Sequence, residues 1–345
     1  MALLLAEFFA SACGKNPLQP QPQPPQNLDP FEQNQLLGRG MNLGNALEAP
    51  YEGAWGVVLQ SEYFDLIQQA GFNSVRIPIR WSAHTTTAPP YAIDSQFWHR
   101  VDWAIDQALS RGLAAIINIH HYEEIMQNPQ AEKPRFLAIW AQLAEHYKNY
   151  SGALFFELLN EPNANLTPEL WNQFLQEAIS TIRKTNPGRT LIVGPANWGG
   201  MGGLQALELP ADENNLIITF HYYNPFHFTH QGAEWVPGSD AWLGTTWDGT
   251  EAEKQAVVAD FDEIANWGKT HNRPLNLGEF GVYSKADMAS RARWTAFVAR
   301  TAEAHAISWH YWEFISGFGA YDGKAKAWRE PLLQALIPPP ALTLR

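Results

Sequence analysis

The stretch that most constrains the fold is the run Leu-Phe-Phe-Glu-Leu-Leu-Asn-Glu-Pro at residues 154–162. Its first six residues are almost continuously apolar, the pattern of a strand buried on both faces of a parallel sheet. Pro162 cannot donate to a sheet and disfavours helical geometry at the residue before it, so the strand must end there. The strand therefore presents Asn160 and Glu161 at a sheet rim, which is where chemistry occurs in α/β barrels. The alternative is a plain strand cap, with Asn160 bonded into a loop and Glu161 solvated.

Strand and helix patterns alternate along the rest of the chain. Eight segments have the composition of strands, at residues 38–44, 73–78, 114–120, 154–160, 190–194, 216–221, 275–279 and 307–312. Helical patterns lie at residues 60–70, 97–111, 135–150, 168–185, 250–269, 285–305 and 325–336. This alternation predicts an α/β fold, a (β/α)8 TIM barrel, as one domain over residues 29–345. A doubly wound sheet is the alternative, but the glycine spacing at 38–44 does not match a phosphate-binding turn.

The segment 222–249, between the sixth strand and its helix, is long and rich in aromatic residues and glycine. A loop of this length inside a compact barrel is usually functional. We therefore expect it to form one wall of a cleft.

Composition excludes several classes of protein. The net charge is −12 and no run of Lys or Arg occurs, which argues against nucleic acid or a membrane surface as a partner. The single cysteine, Cys13, excludes a disulfide framework and a cysteine-ligated zinc site. These properties fit a protein that acts on a neutral substrate.

The first 28 residues differ in composition from the rest of the chain. Residues 1–13 form a short apolar segment that ends at Cys13 and resembles a bacterial lipoprotein signal, in which that cysteine carries the lipid anchor. Glu7 and the lack of an early Lys or Arg depart from such signals, and a truncated or misassigned start is the alternative. Residues 14–28 form a Pro/Gln-rich linker. We expect a secreted or cell-surface protein that is not stably inserted in a membrane.

A second carboxylate, Glu279, stands at the end of the apolar strand pattern at 275–279. Glu161 on strand four and Glu279 on strand seven would face each other across the barrel mouth. Two facing carboxylates suit glycosidic bond cleavage, in which one acid protonates the leaving oxygen and one carboxylate attacks carbon or activates water. Retaining enzymes hold the two carboxyls about 5–5.5 Å apart, and each charge raises the pKa of the other group.

Other strand ends supply fitting groups. Arg76 is a cation inside an apolar strand, where a charge is rarely buried without a carboxylate partner. The remaining groups at strand ends are His120, His121, His221, Tyr223 and Trp312. Each alone is more often structural, and their convergence on one rim favours a functional site.

Seven motifs in order resemble those of glycoside hydrolase family 5, in the clan with catalytic glutamates on strands four and seven. They are GRGMNLGN at 38–45, VRIP at 75–78, HHY at 120–122, LNEP at 159–162, HYY at 221–223, GEFG at 278–281 and YWE at 311–313. The resemblance covers residues 29–338 and is greatest to endo-β-1,4-glucanases of thermophilic bacteria, some of which also cleave β-mannan. It implies hydrolysis of a β-linked polysaccharide or oligosaccharide, with endo-β-1,4-mannanase as the alternative activity.

The resemblance also implies roles for the catalytic groups. Glu161 would be the acid/base and Glu279 the nucleophile of a retaining double displacement. Asn160 would bind the sugar 2-hydroxyl in subsite −1, and Arg76 would act with Tyr223 to hold Glu279 ionised and aimed. His221 would lie near the acid/base.

Further positions would contact the sugar. Asn45, His120 and His121 would bind hydroxyls and Trp312 would form the floor of subsite −1. The resemblance places four more residues along the cleft, namely Glu48, Trp198, Trp235 and Glu313.

We expect no metal or cofactor, and a monomer. A metal-dependent barrel enzyme and a non-catalytic carbohydrate-binding barrel are the rival hypotheses. The first would use side chains such as His120, His121, Glu161, His221 and Glu279 as ligands.

Overall fold

The computed structural model describes residues 29–339. The signal-like segment with Cys13 and the linker at 14–28 lie outside these residues. Eight parallel strands form a closed barrel in chain order, with the first strand paired to the last. The strands β1 to β8 are Arg39–Asn42, Ser74–Ile77, Ala114–Asn118, Leu154–Glu157, Leu191–Val193, Leu216–His221, Leu275–Phe280 and Ser308–Tyr311. The predicted (β/α)8 barrel is confirmed, and a doubly wound sheet is excluded.

Helices surround the barrel. The helices α1 to α10 are Pro30–Leu37, Ser61–Ala70, Ser95–Leu109, Glu123–Gln127, Pro129–His146, Pro168–Arg183, Phe226–Thr229, Glu251–His271, Met288–Ala304 and Glu330–Leu336. Many of their ends follow local signals in the sequence. Thr250 and Glu253 form a reciprocal capping box at the start of α8, and Gly71 ends α2 in the left-handed conformation at φ 98°. None of the described helices combines the length and apolar character needed to cross a bilayer.

The predicted helix at 325–336 is wrong over its first five residues. Two short antiparallel strands, β9 (Tyr321–Asp322) and β10 (Ala327–Trp328), precede α10 instead. The Asp322 side chain accepts the backbone N–H groups of two of the next three residues, which closes a tight turn. Lys326 then adopts a positive φ of 51°, so the chain cannot be helical until α10 begins.

Apolar residues fill the layer between barrel and helices and also the N-terminal end of the barrel interior. Side chains alternate along each strand, so Leu154 and Phe156 of β4 belong to the outer layer while Phe155 belongs to the inner cluster. The next inward position on β4 is Glu157, which is buried. The barrel interior therefore changes from apolar to charged towards the C-terminal ends of its strands.

Helix α1 closes the N-terminal end of the barrel. Leu37 packs in the inner cluster, and Asn34 Nδ2 donates to the carbonyl of Leu275 at 2.9 Å. Asn34 Oδ1 accepts from the Ser308 hydroxyl at 2.7 Å. These bonds tie the helix to the starts of β7 and β8, so the barrel is open only at its opposite end.

Candidate active site

Arg76 on β2 lies at the centre of the charged end of the barrel. Its guanidinium binds both oxygens of Glu157, with Nε to Oε2 at 2.6 Å and Nη2 to Oε1 at 2.7 Å. Nη1 donates to Glu279 Oε1 at 2.7 Å and to Asn42 Oδ1 at 2.9 Å, and Nη2 donates to Asn160 Oδ1 at 2.7 Å. All five N–H groups of the guanidinium thus have an acceptor. Neither Arg76 nor the strand residues around it can turn without losing these bonds.

The charges of this cluster are balanced internally. Burial favours the neutral form of Glu157, but the Arg76 charge outweighs it and lowers the pKa of Glu157 overall. Burial likewise works against the charged Arg76, and the two carboxylates raise its pKa overall. Arg76 is therefore a permanent cation that holds one structural carboxylate, Glu157, and one that faces the barrel mouth, Glu279.

Glu279 is held at both of its oxygens. Oε1 accepts from Arg76, and Oε2 accepts from the Tyr223 hydroxyl at 3.0 Å. Burial and then the Glu279 charge raise the pKa of Tyr223 well above its ordinary value, so the hydroxyl keeps its proton and donates it to the carboxylate. The register between β6 and β7 shifts after Phe220, which sets Glu279 directly beside His221.

Glu161 reaches the same point from β4. It adopts a positive φ of 47°, and its Oε1 lies 2.7 Å from His221 Nδ1. One oxygen of Glu161, one oxygen of Glu279 and one nitrogen of His221 all lie within 4.8 Å of one another. The two carboxyl groups thus approach each other as closely as in double-displacement glycosidases, where they are about 5–5.5 Å apart, and more closely than the roughly 6.5–9.5 Å that leaves room for a water molecule.

The same three atoms are close enough together to ligate a metal ion. Both oxygens of Glu279, however, already accept hydrogen bonds from Arg76 and Tyr223. A bound cation at this carboxylate would also lie beside the Arg76 guanidinium, which repels it. The arrangement therefore fits proton transfer better than metal binding.

A cavity of about 620 Å³ opens above the two glutamates. Of the predicted site residues, eight line it, namely Asn45, His120, His121, Glu161, Tyr223, Trp235, Glu279 and Trp312. The long β6–α8 loop contributes Tyr223, His230 and Trp235 to this lining, so its predicted position along the cleft is confirmed.

His120 and Trp312 form one side of the cavity floor. Their rings are nearly parallel, at an interplanar angle of 8° and a centroid distance of 5.9 Å. His120 Nδ1 lies 3.1 Å from Asn118 Nδ2, and because that amide nitrogen can only donate, His120 accepts there and carries its proton on Nε2. Burial and nearby positive groups lower the pKa of His120 well below its ordinary value. A neutral imidazole is thus available as a hydrogen-bond donor.

Three of the predicted cleft residues do not line the cavity. Glu48 and Glu313 are fully buried, because each accepts backbone N–H groups beneath the surface. Glu48 binds the amides of Asn45 and Ala46, and Glu313 those of residues 315, 316 and 318. Trp198 is 63% exposed beyond the cavity, and its amide donates to the carbonyl of Pro162.

The two buried carboxylates support neighbouring loops. Asn45 Nδ2 donates to the Ser316 hydroxyl at 2.6 Å, which joins the loop that Glu48 supports to the loop that Glu313 supports. Burial raises the pKa of Glu48 to about 8 and that of Glu313 to about 7. Both residues therefore act on the cavity through the loops above them.

Sequence reasoning missed several site residues. Glu157, the bidentate partner of Arg76, lies inside the apolar strand pattern, and a carboxylate there carries the same signal that singles out Arg76. Trp55 and Arg80 line the cavity from the loops after β1 and β2, and Tyr283 from the loop after β7. These loop positions gave no signal, because strand periodicity does not extend to them.

Comparison with known proteins agrees with this geometry. The model of the cellulase family, glycosyl hydrolase family 5, matches residues 36–317. The chain belongs to glycosyl hydrolase family 5. Among curated family relatives, Endoglucanase H of Acetivibrio thermocellus is 40% identical over 303 residues, which cover 88% of this chain and 32% of that protein. Cellulase/esterase CelE of the same organism is 31% identical and matches 86% of this chain and 39% of its own length. The chain thus spans about a third of the length of these two relatives.

Solved family 5 structures match more completely. Thermotoga maritima Cel5A in complex with cellobiose is 55% identical with a TM-score of 0.89, and the match covers 90% of this chain and all of that one. The same enzyme in complex with mannotriose gives a TM-score of 0.88 at the same identity and coverage.

Proposed function

We propose that this chain is an endo-acting, retaining β-1,4-glucanase that cleaves β-glucan by double displacement. The observation that carries the proposal is the approach of Glu161 and Glu279 to within 4.8 Å at the floor of one cavity. The names of the family relatives, several of them endoglucanases, support the substrate class.

In the first step Glu279 attacks the anomeric carbon while Glu161 gives its proton to the departing glycosidic oxygen. The carbon–oxygen bond to the leaving chain breaks, and an ester bond to Glu279 forms. Arg76 and Tyr223 hold Glu279 by hydrogen bonds to both oxygens, so its attacking oxygen is aimed before substrate arrives.

In the second step Glu161 removes a proton from water as the water attacks the same carbon. The ester bond breaks, Glu279 regains its charge, and the product keeps the β configuration. His221, bonded to Glu161, stabilises the ionised form of the acid/base between the two steps.

Asn160 is oriented for the sugar by its bond to Arg76. Because its Oδ1 accepts from the guanidinium, its Nδ2 is left to donate, and we assign it to the 2-hydroxyl of the ring in subsite −1. Asn45, His120 and His121 would bind other hydroxyls, and Trp312 would lie under the ring.

The decisive experiment uses NMR to determine which anomer of the product forms first during hydrolysis of a cello-oligosaccharide. We expect the β anomer to appear first and to mutarotate later. First appearance of the α anomer would contradict the double displacement. Full activity after exhaustive chelation is also expected, and loss of activity restored by a divalent metal would favour the metal-dependent alternative.

Endo-β-1,4-mannanase is the second candidate activity, and the mannotriose complex of the Thermotoga maritima relative favours it. Hydrolysis of carboxymethyl cellulose, mixed-linkage glucan and glucomannan should be compared side by side. We expect the glucans to be cleaved at internal bonds, so that viscosity falls faster than reducing ends appear.

We also propose that residues 29–345 form the catalytic domain of a monomer that works outside the cell. A polymeric substrate cannot cross a membrane, which supports export. N-terminal analysis of the mature protein tests this route and the lipid anchor at Cys13, and size-exclusion chromatography tests the monomer.

A further inference from the structure

Arg80 differs from the other arginine of its segment. It lies just beyond β2, is half-buried, and lines the cavity above the glutamates. Whereas Arg76 has an acceptor for every N–H group, the buried Nε of Arg80 has no hydrogen-bond partner among residues 29–339. Ten ion pairs of arginine residues occur in this part of the chain, and Arg80 takes part in none. Its guanidinium is thus available to a ligand.

An aromatic surface lies near Arg80, because the carbonyl of Ile79 accepts from the amide of His120 and so brings Arg80 close to His121. Trp55, from the loop after β1, is 43% exposed and lines the cavity. Its ring meets His121 edge to face, at a centroid distance of 5.5 Å and an angle of 85°. Burial lowers the pKa of His121, and the Arg80 charge acts in the same direction, so that ring stays neutral near pH 7. Trp55 is therefore held by a neutral partner and presents ring surface to the cavity.

Besides the two glutamates at the cavity floor, one carboxylate lies in this region. Glu123, at the start of α4, lines the cavity but is exposed and lies beyond ion-pair distance of Arg80. Water screens its charge more than that of a half-buried guanidinium. Glu279, for its part, is paired with Arg76. An anion beside Arg80 would therefore be attracted by the guanidinium and repelled less strongly by Glu123.

A half-buried guanidinium without a partner loses hydration and gains nothing in return, so an incoming acceptor is favoured. A carboxylate is the acceptor that fits it best, because two parallel N–H groups match its two oxygens. An aromatic face beside it suits the apolar face of a sugar ring. We propose that Trp55, Arg80 and His121 form a subsite for a β-glucan ring that carries a carboxylate, with Arg80 as the partner of the carboxylate. This inference rests on the proposed glucanase activity.

The carboxylate can have two sources, a uronic acid at C6 of the ring or a carboxymethyl ether. The experiment uses a soluble C6-oxidised cellulose, carboxymethyl cellulose and neutral hydroxyethyl cellulose. For each enzyme, kcat/KM on each acidic polymer is divided by kcat/KM on the neutral one. The ratio for oxidised cellulose measures the preference for a uronic acid over a neutral ring. The ratio for carboxymethyl cellulose measures the preference for a carboxymethyl ether over a neutral ring.

Arg80→Gln should lower at least one ratio by roughly fivefold to tenfold, mainly through KM, since a charge-assisted hydrogen bond is lost. Glu123→Gln should raise the same ratio, and added salt should lower it in the wild type. Trp55→Ala should reduce activity on acidic and neutral polymers alike. Arg293→Gln is the matched control, because this exposed arginine pairs with Asp248 away from the cavity and should leave the ratios unchanged.

The results separate this inference from the proposed function. Failure of the wild type to cleave any of the three polymers would refute the glucanase itself. Cleavage of all three, with both ratios in folded Arg80→Gln within twofold of the wild type, would overturn the carboxylate subsite alone.

Discussion

The Nδ1 atom of His221 lies 2.7 Å from Oε1 of Glu161. The same nitrogen is 3.6 Å from Oε2 of Glu279, so one imidazole stands between the two glutamates. Burial disfavours a charge on this ring, but the Glu279 charge and the bond to Glu161 outweigh it and raise the pKa of His221. The histidine can therefore carry a proton while Glu161 is ionised, which is the state required after the first half of the reaction.

Replacing the acid/base gives the most direct test of roles. In Glu161→Gln we expect turnover of polymer to fall by about a thousandfold or more, because the leaving oxygen receives no proton. Activated aryl glycosides, whose leaving groups need no proton, should retain much more activity. Steady-state rates on both substrate types measure this difference. The control is Glu124→Gln, an exposed carboxylate on α4, and equal losses on both substrates would refute the acid role.

Removing the charge of Glu157 tests the buried ion pair. Glu157→Gln should lower the free energy of unfolding by about 3–5 kcal/mol, because Arg76 loses the carboxylate that binds it at two points. We also expect kcat to fall, since Arg76 then holds Glu279 in a different position. Denaturant unfolding measures the loss. Glu177→Gln removes an exposed pair with Lys133 and should cost less than about 1 kcal/mol. Equal costs would contradict the role of burial.

The two buried carboxyls beneath the loops predict how stability depends on pH. The pKa of Glu48 is raised to about 8 and that of Glu313 to about 7, so the folded state binds protons more tightly than the unfolded state. Their contribution to the free energy of unfolding is complete below about pH 4.5 and is lost as the pH rises through 7 and 8. His221, with a raised pKa, acts in the same direction above pH 6.5.

Histidines with lowered pKa act in the opposite direction but only at lower pH. Burial lowers the pKa of His230 to about 4 and that of His310 to about 3, and it also lowers the pKa of His84, His120 and His121. Because unfolded histidines titrate near pH 6.5, all five are largely neutral in both states only above about pH 7.5. Between about pH 7.5 and 8.5 the free energy of unfolding should therefore fall. Glu48→Gln should reduce that slope by up to about 1.4 kcal/mol per pH unit. Denaturant unfolding at several pH values measures it, with Glu62→Gln as the exposed control. A slope that the Glu48 variant leaves unchanged would contradict the assignment.

Replacing Trp235 tests whether the β6–α8 loop binds the substrate along one wall of the cavity. The ring is 58% exposed and meets Tyr283 edge to face at 4.9 Å, so it can pack against a sugar without rearrangement. Trp235→Ala should weaken polymer binding by about 1–3 kcal/mol. Affinity electrophoresis in glucan-containing gels measures the change. Phe31→Ala, on α1 at the closed end of the barrel, should leave affinity unaltered, and the same behaviour from Trp235→Ala would place that residue outside the binding surface.

Sequence patterns predicted the parts of this site that lie on strands. A strand buried on both faces has to end in a recognisable way, so Glu161 and Glu279 could be found from the polar groups that follow apolar runs. Arg76 stood out for the same reason, as a charge where none is expected.

The burial of loop residues could not be predicted from such strand patterns. Glu48 and Glu313 are chemically suited to a sugar-binding cleft, and only the path of the backbone around them makes them acceptors for amides instead. Arg80 is the opposite case, because we singled it out for a buried Nε atom that has no hydrogen-bond partner among residues 29–339. Neither the burial of the two carboxylates nor the surroundings of Arg80 can be predicted from the residues next to them in the sequence.

The helix that seals the barrel through Asn34 and Leu37 fixes where the chain enters the domain. Asp29, which caps the start of this helix, therefore lies on the side of the domain opposite the cavity. An enzyme immobilised on a solid support through that end would keep its opening turned towards the solution, and a polymer could pass across it without meeting the attachment.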